Sequence, residues 1–421
     1  MSVGNESRGH KQKSGPSTTV KVNRAAARYA VRAGEACGPP RAPPVAWPSV
    51  NAPITVRDIT AAEHLAWLRT QPSASFLQTP AWAEVKREWR AESVGWFEGE
   101  QMVGAALVLH RSLPRIRRSL AYVPEGPCID WSSPRLVELL RALRDHLKAK
   151  GAFALRLGPP VATHRWGTAT IKDAIADPAI RRYDEATPDV VEPVGAAVVA
   201  QLQRLGFRHL SPEDGFAAGQ PEYVFQVPLA GRTEADVLAG MNQLWRRNIK
   251  KTTKNGVKVR VGDATDLPAF HRTYVETAER DRFTPRGLEY FQRMHAALAA
   301  EDPDRIRVYL AEHDGDVLAA TVYIRVGEHA WYSYGASTSA KRELQGSTAI
   351  QWRMMQDSIA AGATVYDLRG ITNTVDTDNP HIGLIRFKVG TGGEAVRLAG
   401  EWDLPLNPLL YKAFDLYMKR R

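Results

Sequence analysis

Apolar and polar positions along the chain fall into the same order twice. In the first half, "SVGWFEGEQMVGAALVLHR" reads as two strands joined at Glu98-Gly99-Glu100. In the second, "RVYLAEHDGDVLAATVYIR" repeats that arrangement around Asp314-Gly315-Asp316, and Asp-Gly between alternating runs is a hairpin signal. Each hairpin is followed by a further strand and a helical period: "PRLVELLRALRDHLKAKG" before "AFALRLG", and "STAIQWRMMQDSIAAG" before "ATVYDLRG". Two units of hairpin, strand, helix and strand predict an α/β (α+β) protein of two tandem lobes, with a cleft between them as the default site. The join falls after residues 223–227, which gives one domain over 51–226 and another over 227–397. Next, "GRTEADVLAGMNQLWRRNIKKTTKNGV" reads as a basic helix closed by Asn255-Gly256. At the end of the chain, Leu409, Leu410, Phe414 and Tyr417 form an apolar helical stripe suited to packing on a lobe. The stretch "LIRFKVGTGGE" reads as strand-like, with Lys388 inside it just before a glycine-rich turn. Desolvating an ammonium there is costly, so the lysine either reaches solvent past its neighbours or has a task.

Composition narrows the class. Of 421 residues, 44% are hydrophobic and 24% charged, and no apolar run approaches the roughly 20 residues of a membrane span, so a soluble protein is expected. Two cysteines, Cys37 and Cys128, exclude a disulfide framework and suit a reducing cytoplasm. The eleven histidines show no metal-binding spacing, so no metal is expected. The formal charge is +10, and residues 1–50 hold eight Lys/Arg against two Glu, leaving +4 for the body. That segment is Ser-, Gly-, Ala- and Pro-rich without an apolar period, and reads as a disordered basic tail.

Candidate chemistry is scattered. Gln78, Trp82 and Lys86 share helical spacing. In "RDRFTPRGLEYFQRM", Pro285 starts a helix with Arg286 in its first turn and Tyr290 one turn on; an arginine beside free backbone donors suits a phosphate or diphosphate. Tyr332 and Tyr334 lie two apart on a strand and so share a face. Acetyltransferase lobes hold coenzyme A with an R/Q-x-x-G-x-G/A loop, but here the glycine of Arg342-Glu343-Leu344-Gln345-Gly346 arrives one residue late, which argues against coenzyme A. No G-x-x-x-x-G-K-[ST] loop appears either, which argues against an ATP-driven ligase of that kind.

Taken in order, "QTPAWAEVK", "RSLAYVPEGPCID", "NIKKTTKNGV", "FTPRGLEYFQRM", "YSYGAS", "YDLRGI" and "RFKVGTGGE" resemble the FemABX family, FemX-type members most, over about residues 55 to 415. The resemblance implies two acetyltransferase-like (GNAT-type) lobes facing each other, the first completed by residues 398–421. It implies an aminoacyltransferase of cell-wall biogenesis and cell shape. Such an enzyme moves an amino acid from aminoacyl-tRNA to the stem-peptide amine of UDP-MurNAc-pentapeptide or a lipid-linked precursor, without metal, ATP or coenzyme A. By position, Lys86 and Arg286 match residues that hold the diphosphate, with Tyr290 and Tyr334 as further contacts. Phe387 and Lys388 match the catalytic pair, a ring near the terminal adenosine and a lysine near the reacting carbonyl; the following glycines read as room for the acceptor end. Arg246, Arg247, Lys250, Lys251 and Lys254 are candidates for tRNA contact. Where the family carries an acidic residue after the first Leu-Arg pair this chain has Gly158, so a general base there has no support, and the long coiled-coil arm is missing. The alternatives are a tRNA-dependent enzyme of secondary metabolism, a non-catalytic precursor-binding protein, and a plain N-acetyltransferase. A lipid-linked acceptor would bring the protein to the inner membrane face, where the basic tail would help.

Overall fold

The computed structural model describes residues 52–113, 116–210 and 219–419; the basic tail and the side chain of Tyr417 lie outside the described residues. In chain order the strands are β1 (Ile54–Ile59), β2 (Arg90–Glu98), β3 (Gln101–Leu113), β4 (Ile116–Val123), β5 (Cys128–Ile129), β6 (Ala152–Leu157), β7 (Ala162–Gly167), β8 (Val190–Val191) and β9 (Arg208–Leu210). They continue as β10 (Tyr223–Pro228), β11 (Lys258–Gly262), β12 (Ile306–His313), β13 (Asp316–Val326), β14 (His329–Ser337), β15 (Val365–Gly370), β16 (Glu394–Leu398) and β17 (Glu401–Pro405). One sheet runs β1-β2-β3-β4-β6-β17-β9, with β5 on β3; the other runs β11-β12-β13-β14-β15-β10-β16-β7-β8. The fold is therefore mixed α/β with two sheets. The two predicted units are present: β2, β3, β4, the Leu136–Ala149 helix and β6, then β12, β13, β14, the Gly346–Ala360 helix and β15. In each, the closing strand pairs parallel to the third, as a helical crossover requires. Strand membership does not follow the chain cut at 226, because β7, β8 and β10 join the second sheet, while β17 returns to the first.

Turn chemistry sets the hairpins. Asp314 (φ 51°) and Gly315 (φ 84°) both adopt the left-handed conformation between the paired His313 and Asp316. Between the sheets, a wedge of Phe76, Trp82 and Val85 packs with Leu107 and Leu109 of β3 on one side and Phe291 and Trp331 on the other. Gln78 is buried in this wedge, its Nε2 donating to Pro124 O (2.6 Å) and its Oε1 accepting from Leu107 N (3.1 Å). This wedge is a 3-10 turn over Phe76–Gln78 followed by the short helix Trp82–Val85, not one helix, and Lys86 caps its end.

Three further expectations are corrected. The basic segment is two helices, Glu234–Gly240 and Gln243–Lys254, because Asn242 turns outward to cap the second with its side chain accepting from Trp245 N (2.9 Å). On the C-terminal helix Pro408–Lys419, it is Leu410, Tyr411 and Phe414 that pack on Leu120, Phe153 and Ala154, while Leu409 stands in solvent. The "LIRFKV" run is helical, within Ile382–Val389, burying Ile382, Ile385, Lys388 and Val389 at helical spacing.

Candidate active site

The wedge ends at Lys86, and there it meets the second half of the molecule. Arg286 lies just before the Leu288–Glu301 helix rather than within its first turn, and Tyr290 falls in that turn. The Arg286 guanidinium sits 4.6 Å from the Tyr290 ring centroid and the Lys86 ammonium 6.0 Å from it. Tyr290 and Tyr334 join hydroxyl to hydroxyl at 3.2 Å. Burial, then the neighbouring Arg286 charge, lowers the Lys86 pKa; Glu88, 3.8 Å away, offsets this only in part. Two cations held together beside two hydroxyls make a site for a doubly charged anion such as a diphosphate. All four residues predicted for that task are brought together.

Tyr332 does not share the face of Tyr334. A bulge in β14 shifts the pairing between Val322↔Tyr334 and Tyr323↔Tyr332, which sends Tyr334 to the inter-sheet core and Tyr332 to the other side. At that point β14 parts from β15, with which it pairs only from His329↔Val365 to Trp331↔Asp367. A cavity of about 450 Å³ lies beside this end of β14, lined by Tyr332, Gly335, Arg342, Gln345, Ser347 and Phe387 among others. Phe387 is held in it by Trp245, whose ring lies 4.9 Å away and whose Nε1 donates to the Phe387 carbonyl (3.0 Å).

Lys388 points the other way. It is 3% exposed, and its Nζ donates to the carbonyls of Leu368 (2.8 Å), Arg369 (3.2 Å) and Gly370 (2.7 Å). Its ammonium thus pairs with the β15 carbonyls beyond the stretch where β14 does. Burial pushes its pKa down to about 7, with Asp367 opposing and Arg369 reinforcing the shift. Arg369 itself is left-handed (φ 62°) and pairs with Glu125 across the sheets at 2.9 Å. The glycines that follow give room to the chain's own backbone: a Cβ at Gly392 would strike Gly240, and one at Gly393 would strike Gln226. They are not a passage for a ligand.

Beside the anion cluster a second cavity, about 310 Å³, is lined by Lys86, Trp89, Arg111, Tyr122, Arg156 and Gly219. Behind Tyr122 and Gly219 of its wall lies a buried carboxylate that sequence reasoning missed. Glu401, on β17, accepts a hydrogen bond from Tyr122 OH (2.7 Å), 279 residues away in the chain. A Cβ at Gly158 would come within 3.4 Å of its Cγ, so Glu401 borders the place where the acidic side chain was absent. Burial raises the Glu401 pKa, and Tyr122 and Arg156 oppose this. No motif marks Glu401; only the return of β17 to the first sheet brings it here. The five basic residues of the Gln243–Lys254 helix are all exposed, opposite the buried Trp245, Ile249 and Thr252, and Asn248 of that helix donates to Gln345 at the first cavity (3.0 Å).

Comparison with known proteins bears on the chain and its fold. A family model described as the FemAB family matches residues 59–314 and 304–419. A "Lipid II:glycine glycyltransferase" of Staphylococcus haemolyticus is 24% identical, covering 85% of this chain and 94% of that protein. The protein of the same name from Staphylococcus aureus (strain USA300) is 23% identical, with the same coverage of both. Among solved structures, one titled "Crystal structure of FemX" superposes with a TM-score of 0.71 at 22% identity, covering 85% of this chain and 99% of that one, and so has the same fold.

Proposed function

The chain belongs to the FemAB family, and on that footing we propose that it is an aminoacyltransferase of peptidoglycan bridge formation, taking an amino acid from aminoacyl-tRNA to a stem-peptide amine. The observation that carries this is the cluster of Lys86, Arg286, Tyr290 and Tyr334, drawn from both halves of the chain and suited to the diphosphate of a cell-wall precursor. The relatives' name supports the lipid-linked form of that precursor. In this reading the acceptor's diphosphate rests on Lys86 and Arg286, and its peptide runs along the inter-sheet wall. The charged 3′ end enters the 450 Å³ cavity with its base against Phe387, and the exposed basic face of the Gln243–Lys254 helix takes the tRNA backbone.

The amine attacks the ester carbonyl; the new N–C bond forms, the C–O bond to the ribose breaks, the proton leaving nitrogen must be taken up, and a proton must be returned to the ribose oxygen so that it leaves as a hydroxyl. Tyr122 and Glu401 are suited to the uptake: the tyrosine passes its proton to the carboxylate as it takes one from nitrogen. The ester is already activated, so orientation of the two substrates supplies much of the acceleration, up to about 7–11 kcal/mol. Lys388 serves by holding Leu368–Gly370, and hence Arg369, in place; to donate to an oxyanion it would have to release one carbonyl.

The test is incubation with charged tRNAs and either the lipid-linked or the nucleotide-linked pentapeptide. Addition of one amino-acid mass to the lipid-linked acceptor is the expected result, and no gain with any charged tRNA overturns the reading. In an active preparation, Glu401→Gln should cut turnover by about 10²–10⁴ with the acceptor KM little changed, as for loss of a general base. An unchanged rate removes Glu401 from the chemistry.

A further inference from the structure

We propose that the outer face of the C-terminal helix, together with the start of β4, docks on an anionic lipid bilayer. One side of Pro408–Lys419 is used up by Leu410, Tyr411 and Phe414 against the first sheet. The other side carries Leu409, Lys412, Ala413 and Leu416, spaced i, i+3, i+4 and i+7 and all exposed, with Leu409 at 83% and Leu416 at 52%. Beside it stands Ile116, 46% exposed, the first residue of β4. Its cross-strand partner Leu113 packs in the same cluster as Phe414, which sets this strand end against the helix. Three exposed cations, Arg117, Arg118 and Lys412, stand here, and the one described carboxylate of the helix, Asp415, is half-buried on its cavity side.

Aliphatic side chains set among cations match a surface of negative headgroups over hydrocarbon, not a neutral protein groove. Phe414 and Met418, on the opposite side of the same helix, line the cavity that holds Lys86, so the helix's own width, about 10 Å, separates the docked face from the site. That orientation rests on the proposed lipid-linked acceptor, whose chain would pass beside this helix into the bilayer from a diphosphate on Lys86 and Arg286.

Sedimentation of the full chain with vesicles tests the docking without acceptor, tRNA or turnover, so it fails or succeeds separately from the activity. Vesicles of phosphatidylcholine with roughly a third phosphatidylglycerol should carry the protein down, and plain phosphatidylcholine far less. Added salt should weaken the binding. Leu409→Glu with Leu416→Glu should raise the lipid needed for half-binding by about ten-fold or more. Arg117→Gln, Arg118→Gln and Lys412→Gln together should flatten the salt dependence, and both variants should keep wild-type turnover on the nucleotide-linked acceptor. The proposal is overturned if wild type ignores anionic vesicles, or if the double Glu variant sediments as wild type does, which would assign binding to the N-terminal segment. It is also overturned if this face instead joins two copies of the chain, seen as a dimer that the double Glu variant dissolves.

Discussion

Lys388 meets two opposed demands. Its burial disfavours the charge, while three carbonyl acceptors require all three ammonium protons. Replacing it with methionine leaves those carbonyls unpaired, at about 1–3 kcal/mol for each that water does not reach, so Lys388→Met should lower Tm sharply as well as activity. A role at the oxyanion alone would cut turnover by about 10²–10³ with little change in Tm, so thermal melts beside kinetics separate the two roles. The sign of the pH effect follows from the depressed pKa. Between about 7 and the ordinary lysine value of 10.5 the unfolded chain binds more protons at this residue. The lysine's contribution to stability therefore rises with pH through that window and is flat below it; the difference in unfolding free energy between wild type and Lys388→Met, measured from pH 6 to 10, checks this. At the anion cluster, Lys86→Ala and Arg286→Ala should each raise the acceptor KM. Their joint effect should differ from the sum, because the Arg286 charge disfavours the charged form of Lys86. Arg286→Lys should restore little, since the planar fork over Tyr290 is removed.

At the scale of elements, the bulge in β14 is what divides the site. It sends Tyr334 to the anion cluster and Tyr332 to the cavity, and it ends the pairing with β15 so that Lys388 has carbonyls to bind. Two strand ends are then joined by Arg369 and Glu125, both with φ in the left-handed region and each largely buried. Glu125 also accepts from Ser75 Oγ at 2.5 Å. Glu125→Ala would leave a buried guanidinium unpaired and should cost about 3–5 kcal/mol in a denaturant titration. The Gln243–Lys254 helix makes a separate prediction. Arg246, Lys250 and Lys254 fall on one exposed stripe, so changing all three to Gln should raise KM for aminoacyl-tRNA and lower the slope of log affinity against log salt by about 0.7–0.9 for every phosphate no longer neutralised. An unchanged KM would leave this face without a tRNA role.

For the whole molecule, what was legible in the chain was what is local. Asp314-Gly315 sets its hairpin because two positive φ values are required there, and the repeated order of hairpin, strand, helix and strand follows from apolar period alone. The Ile382–Val389 helix was not legible: Ile385, Phe387 and Val389 alternate like a strand, and eight residues are too few for period to decide. Position in the sequence named Lys86, Arg286, Tyr290 and Tyr334, but only packing of the wedge between the sheets placed them within reach of one another. The strand that carries Glu401 reaches Tyr122 only because β17 crosses back to the first sheet. The order of residues thus specifies the elements, their succession and the charged and aromatic groups available for the chemistry. Which way Lys388 points, why its neighbouring glycines are small, and which carboxylate stands near Gly158 emerge only on folding, since each depends on contacts between groups far apart in the chain, where no local propensity acts.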